Sequence, residues 1–378
     1  MRNVFTGALG AGLLSLLPAG VLAQDGPETV ALAFGGADWQ ITAAEARIEQ
    51  IDGREALFLQ GGRAWLDDLQ FEDGVIEFDL RMPAPQMGFA GLGFRAQDPQ
   101  NFEDFYLRAH LSDRPDASQY MPVINGLGGW QIYHDAHAAQ AIPFEYGEWM
   151  RVRAVIEGDR ADFYLDDDTP FLHVPDLKGD FDPGMVGLRA GGRIGFHFAN
   201  FSARPLNPGE GVIGTAAEVE APPQTLIRRW SVSEPIAETT LTASVNLPEG
   251  LLDAQDWSEL AVETNGIANL ARAAEITPGE RTLLTRLTLT ADQASERLLR
   301  FGYSDRARIY LNGELLFAGD AGWRTRDYRF LGTVGLFDAV GLQLEAGENT
   351  LVIAVSETFG GWAVMAELED QSGITIAP

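Results

Sequence analysis

The sequence predicts an all-β protein, with two tandem β-sandwich (jelly-roll) domains behind a cleaved signal peptide. Three observations carry this expectation: a short apolar leader over residues 1–23, period-2 alternation in both halves of the remaining chain, and an unpatterned Pro/Gly/Glu-rich stretch over 204–224 that divides them. In the leader, Arg2 supplies a positive start. Residues 9–17 form an apolar run rich in Gly, Ala and Leu, and Pro18 breaks it. Val21-Leu22-Ala23 presents short side chains where a signal peptidase reads, so cleavage is expected before Gln24 and the localisation is periplasmic or secreted. The run is too short to span a bilayer, and no later stretch reaches the ~18 apolar residues of a transmembrane helix, so no membrane insertion is expected. No Cys follows the cleavage point, which excludes the usual bacterial lipid anchor.

Taking 23 residues from a chain of 378 leaves more than one ordinary core and enough for two domains. The formal net charge is −28, from 55 acidic against 27 basic residues, and the leader removes one of the basic ones. Such a surface repels nucleic acid and anionic headgroups. It suits a neutral polysaccharide, divalent cations, or solubility in a salty medium with no site at all. The absence of Cys removes disulfides, thiolate metal sites and Cys nucleophiles together.

Residues 75–82 alternate cleanly, with Ile76, Phe78, Leu80 and Met82 on one face and Glu77, Asp79 and Arg81 on the other. Residues 89–95, 104–110, 149–157, 160–166 and 193–201 repeat the pattern, with turns at Glu72-Asp73-Gly74, Asn125-Gly126 and Glu157-Gly158-Asp159. The first domain is placed at 28–203, the linker at 204–224 and the second domain at 225–378. In the second, 281–290, 297–303, 306–311 and 350–355 read as strands, and 250–260 and 291–296 are the helix candidates.

Phe71-x-Asp73-Gly74-x-Ile76-x-Phe78-x-Leu80, Gly93-Phe94-Arg95, the block from Asn101 to Arg108, and Trp149-Met150-Arg151-Val152-Arg153 followed by Ala161-x-Phe163-Tyr164-Leu165-Asp166 are the residues by which the first domain resembles concanavalin A-like, laminin-G-like jelly rolls. Within these it is most similar to the bacterial domains grouped with 3-keto-disaccharide hydrolases. The shared residues are strands and turns, so the resemblance implies the fold and leaves activity open. In the second domain, Arg308-Ile309-Tyr310-Leu311-Asn312-Gly313-Glu314-Leu315-Leu316 and Leu344-x-Ala346-Gly347-x-Asn349-x-Leu351-x-Ile353-x-Val355 resemble galactose-binding-like jelly rolls. That resemblance carries structural residues only.

The densest polar cluster is 101–110. Asp104, Tyr106, Arg108 and His110 are expected on one strand face, with Gly91, Gly93 and Arg95 beside them on the preceding strand. Glycines there let a flat ligand approach the backbone, and an aromatic among planar hydrogen-bonding groups suits a sugar. The alternative is a solvated face with cross-strand ion pairs. Gln119, Asn125, Trp130 and Tyr133 surround Gly126, Gly128 and Gly129 and read either as a sugar platform or as a hairpin with Trp130 in the core. His134-Asp135-x-His137 invites a zinc reading, against which the Ala-rich residues 136–141 give only weak support for the helical turn it needs and no third ligand is evident nearby. A structural Ca²⁺ held by Asp/Asn oxygens is compatible with the fold, although Asp166-Asp167-Asp168 reads first as a hairpin tip. Glu77 and Asp79 lie about 6.7 Å apart along a strand, but Arg81 or Met82 stands where a laminarinase-type strand needs its last carboxylate. In the second domain, Trp323, Tyr328, Glu357, Phe359 and Trp362 are the loop candidates, with Trp362 alternatively closing the sandwich end.

The sequence therefore favours an exported protein that binds a polysaccharide or other glycan through the first sandwich and needs no cofactor. A glycoside-active hydrolase and a structural or adhesion module are the other readings, and the oligomeric state is left open.

Overall fold

The computed structural model describes residues 28–322 and 332–378. It is all-β: among the described residues the helical elements are the α-helix Thr239–Thr242 and the 3₁₀ turn Leu270–Arg272. No helix among the described residues is long and apolar enough to cross a membrane. Residues 1–23, Trp323 and Tyr328 lie outside the described residues.

Twelve strands build the first sandwich: β1 (Thr29–Phe34), β2 (Ala37–Ile51), β3 (Arg54–Phe71), β4 (Gly74–Arg81), β5 (Gly88–Asp98), β6 (Asn101–Arg108), β7 (Ser118–Ile124), β8 (Leu127–Gly128), β9 (Trp149–Glu157), β10 (Arg160–Leu165), β11 (Leu172–Val174) and β12 (Gly184–Arg204). They form one continuous sheet folded on itself. Residues 185–192 of β12 pair with β5, while residues 197–204 pair with β4. One layer thus runs β5-β6-β7-β8 and the other β4-β9-β10-β11, with β3 lying along the far edge of β12 across both halves. The ladder with β3 is interrupted between Ala190 and Gly195, where Gly192 takes φ +90° and lets the strand change layer. Across the interior, Phe105 of β6 stacks on Phe163 of β10 at 3.9 Å between ring centroids. Ile76, Phe78, Leu80 and Met82 are all buried, as their alternation predicts.

The second sandwich pairs a seven-stranded sheet with a four-stranded one around Trp230, Phe301, Ile309, Ile353 and Trp362. The helix expected over 250–260 is instead a turn followed by the strand Trp257–Ala261, which pairs with Arg229–Ser233. Residues 291–296 are a strand end, a turn and the start of the next strand. In both cases ladder pairing takes up the strand residues' backbone groups, where an isolated short helix has too few internal bonds to persist.

The two sandwiches share buried surface. The core of the first continues into Leu226, Ile267, Ala363 and Met365 of the second. Polar contacts cluster on residues 125–134: Asn125 Nδ2 donates to Ala271 O at 2.9 Å, Gln131 N to Gly360 O at 2.9 Å, and Tyr133 OH to Glu263 Oε1 at 2.7 Å.

Candidate functional site

The outer face of the β5–β6 layer is built in register rows. One row runs Arg63 (β3), Arg189 (β12), Gly91 (β5), Tyr106 (β6) and Gln119 (β7). The next runs Trp65, Gly187, Gly93, Asp104 and Met121 on the same strands. The glycines have a definite role here. A Cβ on Gly93 would sit 2.6 Å from the Trp65 indole, which lies against the backbone floor.

Asp104 is the electrostatic centre of this face. Its carboxylate is fully buried and receives Arg63 in a bidentate pair, Nη1 at 3.1 Å and Nη2 at 3.0 Å, while Arg189 Nη1 donates to Oδ2. Paired charge is what makes that burial tolerable. Arg189 also lies over the Tyr106 ring at 4.1 Å, and Arg63 over Phe102 at 4.3 Å. Two guanidiniums against one carboxylate leave a net positive charge. Their side chains remain 21% and 18% exposed, and most of their N–H groups have no partner among the described residues.

The nine residues singled out from the sequence divide into three places. Asp104, Tyr106 and Arg108 share this face as expected. Arg108 is buried and spent internally, donating to Asp116 O at 2.7 Å, Tyr106 OH at 3.2 Å and Gln119 Oε1 at 3.1 Å. His110 lies beyond the end of β6, a correction of two residues in the strand's extent, yet its ring still packs edge-on against Phe89 at 5.7 Å. Arg95 leaves the face. It has φ +49° where the β5–β6 register slips, and its guanidinium binds Glu72 O, Asp73 and Gly158 O, tying two turns together.

The remaining four correct the platform reading. Gln119 is fully buried and donates to Tyr120 O and Tyr133 O. Asn125 and Tyr133 bond to the second domain, and Trp130 packs near Phe359 at 5.8 Å. This glycine-rich loop is a domain contact and no open platform; as the alternative reading has it, β7 and β8 form a hairpin across Asn125-Gly126, and Trp130 packs, partly buried, against the first core. His134 Nε2 meets Val334 O at 3.0 Å and His137 Nε2 meets Ala217 O at 2.9 Å, so the two imidazoles serve different carbonyls. Among the described residues no group of three His, Cys, Asp or Glu side chains could hold a metal ion. Glu77 and Asp79 lie on β4, and Asp79 is taken up by Arg54 and Asn200. Trp362 is fully buried with its Nε1 donating to Val355 O.

Sequence reasoning missed Arg63, Trp65, Phe89 and Arg189. Arg63-x-Trp65 and Gly187-x-Arg189 do alternate outward, but only the strand order brings them beside Asp104. Glu103 faces inward from β6, on the opposite face from Asp104. Burial pushes the Glu103 carboxyl up to about 7 against the opposing bonds from Tyr120 OH (2.8 Å) and Gly179 N (2.9 Å). Glu357 in the second domain is pushed up to about 8 by burial and by neighbouring Asp305. A cavity of about 330 Å³ in the second domain is lined by Arg306 and Glu238, which satisfy each other.

No family model matches the chain, and no curated protein does. Among solved structures it is similar to the carbohydrate binding module CBM66 from Bacillus subtilis, with 18% identity and a TM-score of 0.34 over 43% of this chain and 92% of that one. It is also similar to the Bacillus licheniformis β-glucanase (10% identity, TM-score 0.33, 45% and 92% covered) and to the laminarinase from Flavobacterium sp. UMI-01 (11%, 0.32, 41% and 80%).

The raised Glu103 value fixes a sign for stability. The folded state holds this proton more tightly than the unfolded chain does, so its contribution is greatest below about 4.5 and falls as pH rises toward about 7. Urea unfolding of the wild type should therefore lose about 3 kcal/mol relative to Glu103→Gln across that window. Parallel pH profiles for the two proteins would contradict it.

Proposed function

We propose that the protein is an exported glycan-binding protein that holds a sugar chain against the outer face of β3, β12, β5 and β6 without cleaving it. The observation that carries this reading is the pair Arg63 and Arg189, whose side chains are partly exposed and which one buried carboxylate fixes beside the Trp65 indole that covers Gly93 and Gly187. Planar guanidiniums offer paired N–H donors to vicinal sugar oxygens. Because Asp104 already orients them, little side-chain entropy is lost when a ligand arrives. Half-buried Phe89 and His110 at the edge of the face supply ring surface for the apolar side of a sugar. Asp104, Tyr106 and Arg108 act beneath the surface as positioning groups.

Glycoside hydrolysis is the weaker reading for this face. Cleavage needs two carboxylates flanking the bond, roughly 5–9.5 Å apart. The two register rows contain one, and it is buried under two cations.

In affinity electrophoresis through polysaccharide gels, Arg189→Ala should weaken retardation roughly 10- to 100-fold, the loss expected for a charged hydrogen bond. The fold should survive, because Arg63 keeps its bidentate hold on Asp104. Equal retardation of wild type and variant, or none by any polysaccharide, would remove the reading. Export is supported by the leader pattern of residues 1–23. Intact mass of protein expressed with that leader should correspond to a chain starting at Gln24, and a retained leader would contradict it.

A further inference from the structure

A second cavity lies in the first sandwich, on the opposite layer from the arginine pair. A cavity of about 340 Å³ opens beside β10 and β11, between residues 136–140, residues 169–173 and residues 213–217 of the connecting segment. His173 stands in its wall. Asp162 and His173 are register partners, and His173 Nδ1 lies 2.7 Å from Asp162 Oδ1. Asp162 is fully buried, and its other oxygen accepts Ile213 N at 2.7 Å, Gly214 N at 2.8 Å and Tyr164 OH at 3.3 Å.

With so many donors converging on it, the carboxylate acts as an acceptor. The hydrogen-bond network therefore assigns the His173 proton to Nδ1 and leaves the Nε2 lone pair outward. No partner for Nε2 is present among the described residues. Gly214 makes this arrangement possible, since a Cβ there would lie 2.7 Å from His173. The same two backbone bonds pin Ile213, whose side chain stands 67% exposed at the rim. Thr169 and Thr215 add hydroxyls and Phe171 adds an aromatic wall, while no charged side chain among the described residues lines the cavity.

We propose that this cavity binds a single neutral sugar ring. One hydroxyl donates to His173 Nε2, others meet Thr169 and Thr215, and the ring's C–H face covers Ile213 and Phe171. The volume falls at the small end of ligand pockets, which limits the occupant to about one ring. A charged sugar would shed its hydration with no opposite charge to meet it. Because residues 213–217 form one wall, an occupant also ties the connecting segment to the first sandwich. The site is independent of the arginine face.

The test is NMR of the mature chain carrying ¹⁵N-labelled histidine, titrated with glucose, galactose, mannose, fructose and glucuronate. At least one neutral sugar should move the His173 Nε2 resonance, and glucuronate should not. Ile213→Glu, at an exposed position that leaves the fold intact, should weaken that response about tenfold, and Arg189→Ala should leave it unchanged. If no neutral sugar moves His173, if glucuronate moves it equally, or if Ile213→Glu binds like wild type, the proposal is overturned.

Discussion

Strand β12 must satisfy two edges at once. On one side it follows β3 nearly from end to end. On the other it leaves β5 for β4 as it crosses from one layer to the next. A strand of regular pleat cannot do this, because its hydrogen-bonding edges would keep facing the same neighbours. The break between Ala190 and Gly195, with Gly192 at φ +90°, provides the turn. The consequences reach the surface: the first half of β12 carries Gly187 and Arg189 onto the outer face beside Asp104, and the second half carries Phe196 and Phe198 into the core.

Neighbouring carboxylates on β6 receive opposite treatment because the strand alternates. Asp104 points outward and meets two guanidiniums. Glu103 points inward, where Tyr120 and the Gly179 amide are its hydrogen-bond partners, and burial drives it toward the protonated form. Asp162 is handled in a third way, by backbone amides and one imidazole. In a chain with 55 acidic residues, most carboxylates sit in water. These three are buried with specific partners, and two of them hold in place the groups a ligand would meet.

Much of this was readable from the residues themselves. Period 2 located β4, β9 and β10 to within a residue, and the Asn-Gly pairs at 125–126 and 312–313 take the positive φ values their turns require. The glycines at 91 and 93 and the face of Asp104 and Tyr106 were also legible, because alternation fixes faces within a strand. What alternation does not encode is which strands become neighbours. Arg63 and Arg189 are 126 positions apart in a register that only the folded sheet defines, so the pair that completes the face was invisible. The loop at 125–134 misled for a related reason. Trp, Tyr, Asn and Gln among glycines suit a sugar and a protein surface equally, and here the second domain occupies them.

The arginine pair of the first sandwich is the proposed seat of the glycan. A crystal structure of the mature protein with an oligosaccharide retained in affinity gels tests it most directly. Sugar oxygens are expected within hydrogen-bond distance of both Arg63 and Arg189, with Asp104 unmoved beneath them. A glycan bound to the second sandwich, with both guanidiniums contacting solvent alone, would contradict it.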